Sequence, residues 1–195
     1  MRKLFGVSLT ILALAALPKP ADASEIVGTL QIAGGASIVD LGGGETLIDW
    51  GSSAGCPAVP AGSGCLDIQD IGTTGFFADL DDEFDIILDL SSADAPVTGF
   101  DPIQQFQTIT NTSVNFVLED ILSCPELGPF VVCAAGPTSA FGFAQVGSGA
   151  AVQTTVTMVM TGTVSDIQGI VSDWEGVFTA QFAGQTIEDV LADFA

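Results

Sequence analysis

The chain has 195 residues, of which 24 are acidic, three are basic and none is histidine, so its formal net charge is −21. This charge opposes contact with the phosphates of nucleic acids and nucleotides, which proteins bind mainly through arginine and lysine. Catalytic proton transfer and nucleophile activation usually need histidine or lysine, so the composition predicts that the protein is not an enzyme. An enzyme of this composition would have to work with carboxylates alone, as glycosidases do.

The start of the chain has the pattern of an export signal. Two basic residues precede an uncharged apolar stretch, residues 4–17, which suits the hydrophobic region of a signal peptide and is short for a membrane span. The segment Ala21–Ala23 has small residues at both ends, which suits cleavage after residue 23. We therefore expect residues 1–23 to be a signal peptide and residues 24–195 to form one secreted or cell-surface domain. We expect no membrane span in that mature chain, and it contains no lysine or arginine.

Most of the chain after the leader alternates between apolar and polar residues, which is typical of β-strands with one buried face. Clusters of glycine, proline, serine and aspartate separate the alternating segments. The predicted strands lie at residues 26–32, 37–41, 46–50, 76–80, 84–90, 104–110, 114–119, 140–145, 152–164 and 177–182. This spacing predicts an all-β fold, an antiparallel β-sandwich or a jelly-roll-like arrangement, in a single domain.

For two segments the sequence predicts more detail: the buried face of a strand and the cap of a helix. In the segment 84–90, we expect Phe84, Ile86 and Leu88 on the buried face and Asp85 on the solvated face. Near the end of the chain, Thr186 is placed to cap a short helix, with Asp189 at its third position. The apolar stripe of that helix consists of Ile187, Val190, Leu191 and Phe194.

The four cysteines form two pairs with the same pattern, Cys-Pro-x7-Cys. Four cysteines allow three disulfide connectivities, and we expect the two local ones, Cys56–Cys65 and Cys124–Cys133. Each disulfide would close a short loop, as is common in exported proteins. A zinc site is the competing interpretation, but zinc-binding cysteines usually lie two to four residues apart in reduced compartments.

An acidic segment is the candidate metal site. Its members are Asp79, Asp81, Asp82, Glu83 and Asp85. Four of them are spaced by two residues, so they would share one face of an extended chain. Clustered carboxylates predict a weak extracellular Ca²⁺ site, with Asp67 or Asp70 as a further ligand. The alternative is a solvated, charged edge that prevents sheets from aggregating.

The two tryptophans, Trp50 and Trp174, are the candidate glycan-binding residues. Each lies beside an acidic residue, and an exposed indole could stack on a sugar while that acid accepts a hydrogen bond. The alternative is that both are core or turn residues of a sandwich.

Two stretches in the second half of the chain, FQTITNTSVNF at residues 106–116 and WEGVFTAQF at residues 174–182, carry a resemblance to a known group. Together with the segment TIEDVL at 186–191, they resemble exported bacterial proteins associated with the PEP-CTERM sorting system. The resemblance covers roughly residues 100–192 and implies a secreted β-sandwich of an envelope or exopolysaccharide matrix. Those proteins usually continue into a Pro-Glu-Pro motif, a membrane helix and a basic tail. This sequence stops before such an anchor, so we expect a released or truncated form.

These observations predict a secreted, non-enzymatic structural protein of the extracellular matrix or cell surface, and a candidate for self-association. The alternative is a β-sandwich module that binds Ca²⁺ or an extracellular polysaccharide. We expect no cofactor other than a Ca²⁺ ion in that second case. No binding to nucleic acid or to nucleotides is expected in either case.

Overall fold

A computed structural model describes the chain at residues 7–12, 26–42, 45–80, 82–93, 100–127, 131–134, 136 and 139–193. The expected cleavage segment Ala21–Ala23, together with Asp81 and Phe194, lies outside these residues. The described residues form thirteen β-strands and one α-helix. The strands are β1 (Val7–Leu12), β2 (Gly28–Gly34), β3 (Ala36–Gly42), β4 (Glu45–Trp50), β5 (Ser63–Ile68), β6 (Thr74–Gly75), β7 (Phe84–Leu88), β8 (Leu90–Ser91), β9 (Ile103–Ile109), β10 (Asn115–Ile121), β11 (Gly142–Val146), β12 (Gln153–Ser165) and β13 (Val171–Ala183). The helix α1 spans Ile187–Asp193.

The strands form two antiparallel sheets. A ten-stranded sheet has the order β1-β13-β12-β10-β9-β7-β5-β2-β6, with β11 paired to β12 and a further pairing of β1 with β2. That further pairing joins the first strand of this order to the next-to-last strand. A three-stranded sheet has the order β3-β4-β8. The fold is therefore an all-β, antiparallel, sandwich-like arrangement that ends in a short helix, which confirms the predicted fold class.

The long hairpin of β12 and β13 shows how the alternating sequence builds the core. The two strands pair continuously from Gln153 opposite Ala183 to Ser165 opposite Val171. Even-numbered positions of both strands are buried, except for the half-buried Ala180, whereas most odd-numbered positions are partly or fully exposed. The prediction for β12 is thus confirmed, and β13 begins earlier than the predicted residue 177.

One predicted strand, residues 76–80, is wrong. The backbone there makes consecutive tight turns, with N–H groups of Phe77, Ala78 and Leu80 donating to carbonyls three residues earlier. The turns bury the ring of Phe77 completely and leave Phe76 exposed. A turn that buries one aromatic side chain can thus have the same spacing of apolar residues in the sequence as a strand.

The strand β5 was missing from the sequence predictions. Its sequence, Ser63–Ile68, contains a glycine, a cysteine and an aspartate, so the apolar alternation is weak. Its neighbours nevertheless pair with it on both sides, β2 through Ile32 opposite Ile68 and β7 through Asp85 opposite Leu66. Pairing with strands on both sides therefore compensates for a weak local pattern.

Both predicted disulfides are present. Cys56–Cys65 has a Cα–Cα distance of 6.1 Å and Cys124–Cys133 one of 5.6 Å, and in each pair the cysteines are nine positions apart. Cys65 lies in the middle of β5, and Cys124 follows the end of β10; both are fully buried. Each disulfide therefore ties an irregular loop to the sheet core.

The C-terminal helix has the predicted cap. The backbone N–H and the hydroxyl of Thr186 both donate to Asp189 Oδ2, at 2.9 and 2.7 Å, and the Asp189 N–H donates back to the Thr186 hydroxyl at 3.2 Å. Val190 is buried against a small cluster formed by Phe143, Val156 and Phe182. This contact holds the helix against β11 to β13. Within the described residues, no helix is long and apolar enough to cross a membrane.

Candidate functional site

The acidic segment is divided between surface and core. Asp79 and Asp82 are exposed in and after the turns that precede β7. The carboxylate of Glu83 is held by the turn that follows β9, since it accepts hydrogen bonds from Thr110 Oγ1 at 2.6 Å and Asn111 Nδ2 at 2.9 Å. Asp85 is completely buried within β7. Because the chain turns between residues 76 and 80 instead of running extended, these acids do not share one face.

No metal cluster is formed by the described part of the segment. Among the described residues, no group of three or more histidine, cysteine, aspartate or glutamate side chains is placed to hold a metal ion. Of the two further ligands considered, Asp67 accepts a hydrogen bond from Gln69 Nε2 at 2.7 Å, and Asp70 is exposed in the following turn. The Ca²⁺ site therefore stays a prediction that has no assembled ligand set among these residues.

The two tryptophans lie in the core, with 3% of Trp50 and 2% of Trp174 exposed. The Trp174 ring stacks on Phe106 with 6.4 Å between centroids and meets Phe116 edge-on at 5.6 Å, while its Nε1–H donates to the Val117 carbonyl at 2.9 Å. The Trp50 ring lies against Phe178 at 5.0 Å. Both indole faces thus pack against protein, so neither is a surface platform on which a sugar could stack.

The alternation of side chains along β13 explains why the acids beside Trp174 cannot assist it in binding a sugar, as the sequence had suggested. Asp173 and Glu175 point to the exposed face of β13, while Trp174 between them points to the core. Neighbours in a strand lie on opposite faces, so an acid adjacent in sequence is remote from the tryptophan ring.

The expected orientation of β7 is wrong, because Asp85 faces the core and Phe84, Ile86 and Leu88 are only half-buried. The cause is the register of the neighbouring strands. Asp85 lies opposite Leu66 of β5, and the core face of β5 is set by Leu66 and Ile68. A shift by one residue would bring Asp85 outward but would expose Ile87 at the same time.

Inside the core, Gln107 is a second buried polar residue on the same face of the sheet as Asp85. In the β7–β9 ladder Asp85 lies opposite Ile109, and Ile87 lies opposite Gln107. Asp85 and Gln107 are therefore diagonal neighbours on one face of the sheet. Both side chains are fully buried, and neither has a hydrogen-bond partner among the described residues.

Burial in this apolar region raises the pKa of Asp85 from its ordinary value of 3.8 to about 8. The carboxyl group is therefore mostly protonated at neutral pH, and in that state it can donate a hydrogen bond. A buried acid and amide in this arrangement form a pH-sensitive element of the core. In the sequence, the buried acid was indicated only by a single aspartate within the apolar run Phe84–Leu88. The same pattern also fits a strand at the surface.

A second candidate feature is an open strand edge. The strand β3 pairs with β4 along one side, from Ala36 opposite Trp50 onward, and is the end strand of its sheet in the described chain. The side chains of Val39 and Leu41 are exposed, at 36% and 51%. The strand contains no proline, lysine or arginine, and Asp40 is its one charged residue, so few of the residues that commonly protect sheet edges are present. The open edge of β3 is thus suited to pairing with another strand, and the exposed side chains beside it are apolar.

These features define the class of protein as an acidic, disulfide-bonded, antiparallel all-β protein with an open sheet edge. No protein-family model, curated protein or solved structure matches the chain. The resemblance to PEP-CTERM-associated exported proteins therefore stays a prediction.

Proposed function

We propose that the protein is an exported, non-enzymatic structural component of the extracellular matrix or cell surface, and that its copies associate through the edge of β3. The observation that carries this proposal is the open edge itself. Within the part of the chain that the structure describes, β3 pairs with a strand on one side only, and its exposed Val39 and Leu41 offer apolar side chains beside that edge to a second chain.

Export is supported by two independent features. The first 23 residues have the composition of a signal peptide, and both cysteine pairs form disulfides, which persist mainly in oxidising compartments. After residue 19 the sequence contains no lysine, arginine or histidine, so nucleophile activation would depend on carboxylates. These properties support a structural role rather than a catalytic one.

The high negative charge sets the conditions under which association should occur. The processed chain, residues 24–195, contains 23 acidic residues and no lysine, arginine or histidine, so two copies repel one another, and salt screens that repulsion. Association through β3 should therefore strengthen as the ionic strength rises. Because Val39 and Leu41 lose contact with water at such an interface, the apolar contribution opposes the repulsion.

The test is the light-scattering mass of the exported, processed chain, measured in EDTA at low salt, in about 0.5 M NaCl, and with about 1 mM Ca²⁺. We expect assemblies that grow with salt and that are abolished by Val39→Lys or Leu41→Lys. The matched control is Ile167→Lys, which places the same charge at a 75% exposed position in the β12–β13 turn.

The control variant should assemble like the unmodified chain. A monomer under all three conditions, or equal assembly of the β3 variants, overturns association through this edge. Growth that requires Ca²⁺ and does not occur in NaCl would instead assign a binding role to the acidic segment.

A further inference from the structure

The predicted leader contains a strand that lies inside the sheet. The strand β1, Val7–Leu12, pairs antiparallel with β13 from Val7 opposite Ala180 to Ile11 opposite Gly176. On its other side it pairs antiparallel with β2, from Val7 opposite Gly34 to Leu12 opposite Thr29. Removal of the leader would therefore leave two facing strand edges, separated by the width of one strand. We call this gap the β2–β13 slot.

The residues that line the slot specify the chemistry of an occupant. At the register position of Leu9, the slot presents Ile32 on one side and Phe178 on the other, both of which belong to the core. One position away, it presents Gln31 and Val177. Directly paired residues of neighbouring strands share a face, so an occupant needs apolar side chains at alternate positions.

Charge restricts the occupant further. The chain carries 24 acidic residues, yet β2 and the paired stretch of β13 at residues 176–180 contain no charged residue. A carboxylate or ammonium placed at the inward positions would lose its hydration without a partner of opposite charge. The slot therefore favours an uncharged strand.

We propose that in the processed protein the β2–β13 slot is a docking site for an extended, uncharged segment of another polypeptide, about six residues long and apolar at alternate positions. The segment adds as a strand between β2 and β13 and satisfies the backbone N–H and C=O groups of both edges. This inference rests on the removal of the leader, and it adds a second, chemically different binding surface to the open edge of β3.

A second copy of this chain is the less suitable occupant. Its own open strand, β3, has the sequence ASIVDLG, so an aspartate lies near the middle of the segment that would enter the slot. The other end strands of the second copy are also unsuitable, since β6 and β8 have two residues each and β11 already forms a bridge from Phe143 to Val132. A segment from a different polypeptide avoids both problems.

The test uses the exported chain, with processing verified by mass spectrometry of its N-terminus. The probe is a fluorescent peptide of residues 5–13 with a neutral polyethylene glycol tail, and the matched control peptide carries Leu9→Asp and Ile11→Asp. We expect saturable binding of the first peptide and binding weaker by on the order of tenfold or more for the second. Hydrogen exchange should slow at residues 29–33 and 176–180 but not in β10.

Absence of binding, equal binding of both peptides, or protection at other strands overturns the proposal. A processed chain that is unfolded by circular dichroism also overturns it, because β1 would then be an integral strand. A processed dimer that the peptide dissociates would show that a second copy fills the slot. The variants Val39→Lys and Leu41→Lys should bind the peptide normally, so failure of β3 association and failure of the slot can be told apart.

Discussion

Asp85 and Gln107 are diagonal neighbours on the core face of β7 and β9, and among the described residues neither side chain has a hydrogen-bond partner. A buried polar group without a partner costs about 1–3 kcal/mol. Nothing in the apolar pattern of β7 requires an aspartate at this place. The pair is therefore a costly feature of the core whose consequence depends on the protonation of Asp85.

The first prediction concerns pH. The folded chain binds a proton at Asp85 up to a pKa of about 8, whereas the unfolded chain releases it near 3.8. The stability that this proton provides is complete below pH 3.8 and is lost as the pH rises through 8. We expect Asp85→Asn to stabilise the protein at pH 7 by on the order of 2–4 kcal/mol and to flatten the decline in stability between pH 4 and pH 8. Urea unfolding at pH 5, 7 and 9 measures both effects.

The control for that prediction is Asp82→Asn, which removes one negative charge at an exposed position. It should change the free energy of unfolding by a few tenths of a kcal/mol at most. Parallel pH profiles for the unmodified chain and Asp85→Asn would show that Asp85 is ionised in the folded protein.

The second prediction concerns the disulfides. Each links cysteines nine positions apart, and loop closure of that size restricts the unfolded chain by about 2–3 kcal/mol. We expect the paired replacement Cys56→Ala with Cys65→Ala, and likewise Cys124→Ala with Cys133→Ala, to lower the free energy of unfolding by at least this amount. Chemical denaturation of each double variant measures it. Additive losses would indicate independent loops, and a negligible loss for either pair would contradict the prediction.

The third prediction concerns the contact of Trp174 with the β10–β12 region. Gly162 lies opposite Trp174, and a Cβ atom at Gly162 would meet the Val117 carbonyl oxygen and, at 2.9 Å, Trp174 Nε1. The Trp174 Nε1–H donates to that same carbonyl. We expect Gly162→Ala to destabilise the protein by about 1–3 kcal/mol and Trp174→Ala by about 3–5 kcal/mol.

Thermal or urea denaturation of both variants provides the measurement. Thr163→Ala, one position along the same strand, is the control and should cost less than about 1 kcal/mol, since its hydroxyl bonds only an exposed Glu119. If Trp174→Ala left stability unchanged but removed binding to a polysaccharide, the indole would be a surface platform instead of a core residue.

The fourth prediction tests the leader. All three lysine and arginine residues lie within the first 19 positions, so a chain processed after residue 23 contains no trypsin cleavage site. We expect the exported protein to resist trypsin even in denaturant, while chymotrypsin cleaves the denatured chain at its phenylalanines. Peptide mass mapping distinguishes the two results. Because Pro20 follows Lys19 and blocks cleavage there, cleavage by trypsin after Lys3 is the result that would show that the leader is retained.

Several parts of the fold could be predicted because they depend on residues close in sequence. The cap of α1 requires Thr186 and Asp189 three positions apart, and both disulfides join cysteines within one loop. The alternation of β12 is long enough to identify its buried face. In each case a local pattern and the final structure demand the same arrangement.

The candidate site could not be predicted in the same way, because it depends on strands that meet only in the folded chain. Phe77 lies in a turn whose spacing imitates a strand, and β5 is held by β2 and β7 despite its weak pattern. The acidic spacing at residues 79–85 suggested a shared face, which the turns before β7 remove.

Composition and local pattern determined that this is an acidic, all-β protein with two loop disulfides, a capped C-terminal helix and a predicted export leader. The tertiary structure decided which face each short strand turns to the core, since a strand with apolar residues on both faces takes the register of its neighbours. It thereby placed Asp85 beside Gln107, buried Trp50 and Trp174, and made β3 the end strand of its sheet within the described residues. Which face of a strand is buried depends on its pairing with strands that are distant in the sequence, so no single segment determines it.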